Sequence, residues 1–96
     1  MTFSFHPEAE AEFRSAIDHY ECREAGLGYE FSLEVLTAIY NIVTHPNAWP
    51  AIEDDVRCCL VNRFPFGVLY IPEPTSIFVL AVMHHRRRPG YWKQRQ

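Results

Sequence analysis

No stretch of this chain approaches the ~20 consecutive apolar residues that a helix needs to cross a bilayer, so nothing in it reads as a membrane span. The opening residues Met1–His6 have neither a basic leader nor a long apolar run, and they do not read as a signal peptide. Cysteine is scarce: Cys22, Cys58 and Cys59 are an odd set with one adjacent pair, which makes a poor disulfide framework and matches no zinc spacing. His6, His19 and His45 are scattered without ligand spacing, so neither a metal nor a cofactor is expected. Free thiols point to a reduced cytoplasmic setting. Lysine is nearly missing as well. Lys93 is the only one, so positive charge rests on arginine, which stays protonated and offers a planar fork of donors for phosphate or carboxylate. Internal repeats and linker-like segments are absent, and the 96 residues read as a single domain, 1–96.

What is present is a globular composition, 48% apolar with 15% aromatic residues, sufficient for a modest core. The net charge of −3 argues against a general nucleic-acid coat. Its distribution is more telling. Residues 1–55 hold eleven acids against two arginines, whereas residues 56–96 hold seven basic residues against Glu73 alone. Only the second half can offer a positive surface.

Phe3 and Phe5 alternate with polar neighbours, which predicts a short strand over Thr2–His6. Pro7 suits the first turn of a helix, and Ala9, Phe13, Ala16, Ile17 and Tyr20 form a stripe about 100° wide from Glu8 to Cys22. Gly26 and Gly28 mark a turn before a second helix over Tyr29–Thr44, stopped by His45-Pro46. Its core stripe is Leu27, Phe31, Val35, Ala38, Ile39 and Ile42. A second flank carries Tyr29, Leu33, Leu36, Tyr40 and Val43, so apolar groups cover roughly 240° of the circumference. One neighbouring layer cannot bury that much, and another chain is expected on Tyr29, Leu33, Leu36 and Tyr40. Residues 46–55 read as a connecting loop, followed by strands over Val56–Phe64, Phe66–Ile71 and Ile77–His84. In the last strand Ile77, Val79, Ala81 and Met83 are expected on one face, and Phe78, Leu80 and Val82 on the other. The fold class is α+β: a short N-terminal strand, two antiparallel helices on an antiparallel meander, and a basic C-terminal tail.

The ending concentrates chemistry. A strand runs into His84-His85, Arg86-Arg87-Arg88 and Tyr91-Trp92, residue types that grip phosphate, stack on bases or anchor in a protein pocket. A solvated tail is the plain alternative. Arg57 and Arg63, six apart on one strand, are expected on the same face, where they join Arg86–Arg88 in one positive surface unless ion pairs with the acidic helices absorb them. Cys58 and Cys59 read as buried strand residues, and Trp49 as a packing residue.

Taken in order, Phe5-His6-Pro7-Glu8-Ala9, Gly26-Leu27-Gly28, His45-Pro46, Ala48-Trp49-Pro50, Arg57, Arg63-Phe64-Pro65-Phe66-Gly67-Val68-Leu69-Tyr70, Ala81-Val82-Met83-His84, Arg86-Arg87, Pro89 and Trp92 resemble the RelE/ParE superfamily of type II toxin–antitoxin toxins, also described as plasmid-stabilisation proteins. The resemblance covers nearly the whole chain. It implies a bacterial toxin silenced by a cognate antitoxin in a hetero-oligomer. It also implies one of two targets: DNA gyrase, inhibited by binding, or messenger RNA, cut inside the ribosome. A nuclease would draw on Arg57, Arg86, Tyr91 and either His84 or His85 as acid or base. A binding toxin would use Arg57, Arg63, Arg86, Arg87, Arg88, Tyr91 and Trp92 against its target, and Tyr29, Leu33, Leu36 and Tyr40 against the antitoxin. Gly67 stands where RelE-like enzymes carry an arginine, and the chain lacks a lysine-rich site. The reading therefore leans to target binding, with the ribosome-dependent mRNA endonuclease as runner-up and a degenerate toxin that only binds antitoxin as a third option.

Overall fold

Pro7 opens the first helix because its missing amide hydrogen is one that no helix needs there. The preceding His6 caps it: its Nδ1 accepts the Glu8 amide at 3.0 Å. The computed structural model describes every residue, Met1–Gln96. In chain order it contains β1 (Thr2–Phe5), α1 (Pro7–Arg23), α2 (Leu27–Thr44), β2 (Ala51–Glu53), β3 (Val56–Leu60), β4 (Phe66–Pro72), β5 (Ser76–His84) and a short 3₁₀ turn over Lys93–Arg95. No helix is long and apolar enough to cross a membrane.

The two glycines of the helical hairpin serve different ends. Gly26 sits at φ 89°, a left-handed conformation that a side chain disfavours. Gly28 is instead a point of close approach, since a Cβ there would lie 2.5 Å from the Ile17 carbonyl oxygen. The Glu21 carboxylate accepts the amides of both, at 2.8 and 3.0 Å, so α1 itself caps the start of α2.

The sheet has the order β1-β5-β4-β3-β2. β3 to β5 form the expected three-strand antiparallel meander, but β1 pairs in parallel with β5, so the sheet is mixed. Two expectations change here. Ala51–Glu53, read as loop, forms an edge strand beside β3. The third strand also ends at Leu60 rather than Phe64, because Arg63 turns the chain at φ 71° and Pro65 lacks a ladder donor.

A third correction concerns β5. Leu69 pairs with Ala81 and Tyr70 with Val79, which leaves Leu80 as an extra residue in a β-bulge. A bulge resets the alternation of side chains. Ile77, Val79 and Val82 therefore join the core beneath the helices with Phe31, Val35, Ile39 and Tyr70. Leu80 and Ala81 both belong to a second cluster with Val56, Leu69 and Trp92, packed around by Phe78, Met83 and Tyr91. The sheet thus has two covered faces, one under the helices and one under the chain's last residues.

Candidate functional site

Two surfaces stand out. Along α2, Tyr29, Leu33, Leu36 and Tyr40 are 66%, 45%, 42% and 69% exposed. Their spacing places all four on the helix face turned away from the sheet, as the sequence predicted. They are large apolar groups side by side, which monomeric surfaces seldom leave open.

The second surface is the basic end, and here the structure differs from a solvated tail. After His84 the chain turns: the Arg86 amide donates to His84 Nδ1 and the Arg87 amide to the His84 carbonyl, both at 3.0 Å. It then folds back so that Trp92 is buried against Val56, Leu69, Leu80 and Ala81. Trp92 is consequently a core residue, and its expected role as an exposed target anchor is corrected. Indole burial over an otherwise open sheet face outweighs exposure. Tyr91 is likewise committed within the molecule. Its hydroxyl donates to Glu12 Oε2 at 2.6 Å, and its ring carries the Arg87 guanidinium at 3.9 Å and that of Arg95 at 5.0 Å. Burial first, and then the hydrogen bond to Glu12, push its hydroxyl well above the ordinary value, which removes it as a ready proton donor or acceptor.

The expected union of Arg57 and Arg63 with the arginine cluster is also corrected. The Arg57 guanidinium is drawn to the Trp49 carbonyl in the α2–β2 loop, and its Nε is buried without a partner. Nearby, the Tyr70 hydroxyl donates to the Pro46 carbonyl at 2.8 Å, so both side chains clasp that loop to the sheet. Arg63 lies beyond the end of β3 and pairs with Glu30 at 2.7 Å and Glu34 at 3.5 Å on α2. Apart from Arg14–Glu10, every ion pair joins the acidic first half to the basic second half. Folding therefore cancels much of the charge asymmetry, and of the arginine triplet Arg86 and Arg88 are exposed with no ion pair.

A groove of about 580 Å³ runs between α1 and the end of β5, lined among others by Glu12, Ser15, His19, His84, Arg87 and Arg95. His84 packs edge-on against Phe66. Burial lowers its pKa, helped by Arg86, His85 and His19, and its Nδ1 already accepts the Arg86 amide. His85 is exposed on the turn. Of the nuclease set, the groove thus holds only His84, while Arg57, Arg86, Tyr91 and His85 lie outside its lining. Gly67 is buried, and a Cβ there would stand 2.8 Å from the Cys58 sulfur, so the sheet leaves no room for a larger residue without moving Cys58. Burial raises the pKa of both strand cysteines, Cys59 to about 11, which fits packed rather than reactive thiols.

Sequence reasoning passed over Glu12 and Arg95. A signal for Glu12 existed: it falls three residues after Ala9 and four before Ala16, both buried, and so points toward the sheet rather than to solvent. Arg95 had none, since only the fold-back of the chain brings it there.

A family model described as "ParE toxin of type II toxin-antitoxin system, parDE" matches residues 3–89. Among solved structures, a chain of the chromosomal ParDE toxin–antitoxin system from P. aeruginosa superposes with a TM-score of 0.73 at 18% identity, covering 88% of this chain and 95% of that one. A comparison with curated proteins returns no significant match.

Proposed function

The chain belongs to the ParE toxin family of type II toxin–antitoxin systems, and from that premise we propose that it is a cytoplasmic growth inhibitor that acts by binding DNA gyrase and is silenced by a cognate antitoxin. The observation that carries the antitoxin half is the open strip Tyr29, Leu33, Leu36 and Tyr40 on α2. An amphipathic antitoxin segment laid along it reads this strip as spaced apolar anchors, giving a toxin–antitoxin hetero-oligomer. For the target half, binding is favoured over cleavage because general acid–base chemistry needs a donor and an acceptor converging on one reacting group. Tyr91 is locked to Glu12, Arg57 to a loop carbonyl, and Arg63 to α2. Arg86 and Arg88 supply exposed, unpaired charge for a target surface.

The test is to induce the toxin alone and then follow two readouts, trapped gyrase–DNA complexes and primer extension on ribosome-bound messages. Gyrase-linked DNA damage with intact messages is the expected result. Codon-positioned cuts that vanish with His84→Gln would overturn the binding reading in favour of the mRNA endonuclease. Growth without arrest, with antitoxin binding retained, would identify a degenerate toxin.

A further inference from the structure

We propose that Glu12 on α1 is the positioning residue of the basic end: its carboxylate holds the C-terminal segment against β5 and thereby sets where Arg86 and Arg88 are presented. This rests on the reading of that end as the target-binding surface.

One edge of β5 is only partly paired. β1 covers β5 only as far as Val79, whose carbonyl takes the His6 amide at 2.8 Å. Past that point β5 is paired with β4 on one side only, and the edge that β1 occupied has no strand. Side chains take the place of the missing strand. Glu12 Oε1 accepts the Val82 amide at 3.0 Å, and Arg95 Nη1 donates to the Leu80 carbonyl at 3.2 Å. The same two side chains meet in a bidentate pair, with both guanidinium-to-carboxylate contacts at 2.9 Å. Tyr91 adds a third donor to Glu12 at 2.6 Å, and Arg87 approaches to 3.9 Å.

One carboxylate therefore joins three parts of the chain that are distant in sequence: α1, β5 and the last turn. It is well shielded, with its side chain 15% exposed and that of Arg95 7% exposed. Charge-assisted, bidentate pairs of this kind are directional and hold geometry where apolar packing slides. The turn carrying Arg86 and Arg88 is anchored at one end by β5 and at the other by this network. Without Glu12 the segment would be retained by Trp92, by Lys93 on Glu53 and by Arg95 on the Leu80 carbonyl and Glu8, none of which links the Val82 amide to Tyr91 as Glu12 does.

The experiment compares wild type, Glu12→Gln and, as a variant that leaves α1 untouched, the double substitution Tyr91→Phe with Arg95→Gln. Trypsin cleavage after Arg86 and Arg87 (Arg88 precedes Pro89 and resists it) and iodide quenching of the tryptophans report release of the segment. Cleavage is expected to quicken about tenfold or more in both variants, because local opening governs it. Affinity for the antitoxin is expected to stay within about threefold, since α2 is unaltered, while growth arrest falls at least tenfold. Cleavage no faster than in wild type in either variant overturns the latch. A released segment with undiminished arrest overturns the positioning role. A parallel loss of antitoxin affinity in both variants would mark Glu12 as a general fold residue and also overturn it. A wild type that causes no arrest would instead defeat the functional reading and with it the positioning role, while proteolysis still decides the latch.

Discussion

Helix α2 and the C-terminal segment depart from an ordinary soluble surface in opposite ways. α2 leaves apolar side chains open while its polar flank is engaged: Glu30 and Glu34 pair with Arg63, and the Ser32 hydroxyl donates to the Tyr29 carbonyl. The C-terminal segment does the reverse. It buries its tryptophan and ties most of its donors to Glu12, Glu8 and Glu53, leaving only Arg86 and Arg88 free among the triplet. The first surface thus offers burial, which is strong and tolerant of shape. The second offers a few placed charges, which add little stability and considerable selectivity. A surface of the first kind suits a partner held for long periods, and one of the second kind a target that must be recognised.

Four measurements break or sharpen this contrast. The largest effect is expected from Trp92→Ala, which should cost about 3–5 kcal/mol of stability because the indole is part of the core over β3–β5. A denaturant titration checks it; a loss under 1 kcal/mol would return Trp92 to the exposed set. Next, Leu33→Glu with Leu36→Glu should weaken antitoxin binding on the order of 100-fold, as expected for two central anchors, with the melting temperature of the free toxin unchanged or raised. Titration calorimetry decides it, and unchanged affinity would move the antitoxin elsewhere.

Third, Arg86→Ala with Arg88→Ala should reduce growth arrest sharply yet shift the melting temperature by no more than about 3 °C, because exposed unpaired charges contribute little to stability. Full arrest by a well-expressed variant would show the two arginines to be mere solvation. The smallest effect concerns His84. Burial lowers its pKa in the folded state, so the unfolded chain binds its proton first as pH falls. The resulting stability is complete above the unfolded value near 6.5 and is lost as pH drops from there through the lowered folded value. The melting-temperature difference between wild type and His84→Gln should therefore shift against wild type between pH 8 and pH 5, and a flat difference would refute it.

Much of the architecture was legible because it follows from local patterns. Pro7, the Gly26–Gly28 turn and the apolar stripes placed both helices to within a residue or two, and the excess apolar flank of α2 emerged from periodicity alone. The errors cluster where one residue changes a phase. Regular alternation assigned Ala81 and Met83 to the face of Ile77 and Val79, and the bulge at Leu80 reversed it. Counting six residues from Arg57 to Arg63 presumed a strand that in fact ends at Leu60.

The chain by itself determined the fold class, the paired helices, the open strip on α2 and the charge asymmetry between its halves, since these depend on spacing and composition within short windows. Only the tertiary structure decided which charges remain free. Glu12 and Arg95 lie 83 positions apart, and no local pattern links them. They meet because the edge of β5 beyond Val79 lacks a strand, and its buried amide and carbonyl must find partners from somewhere. The carboxylate and guanidinium that fill that need draw the last turn onto the sheet, cover Trp92, and leave Arg86 and Arg88 facing solvent.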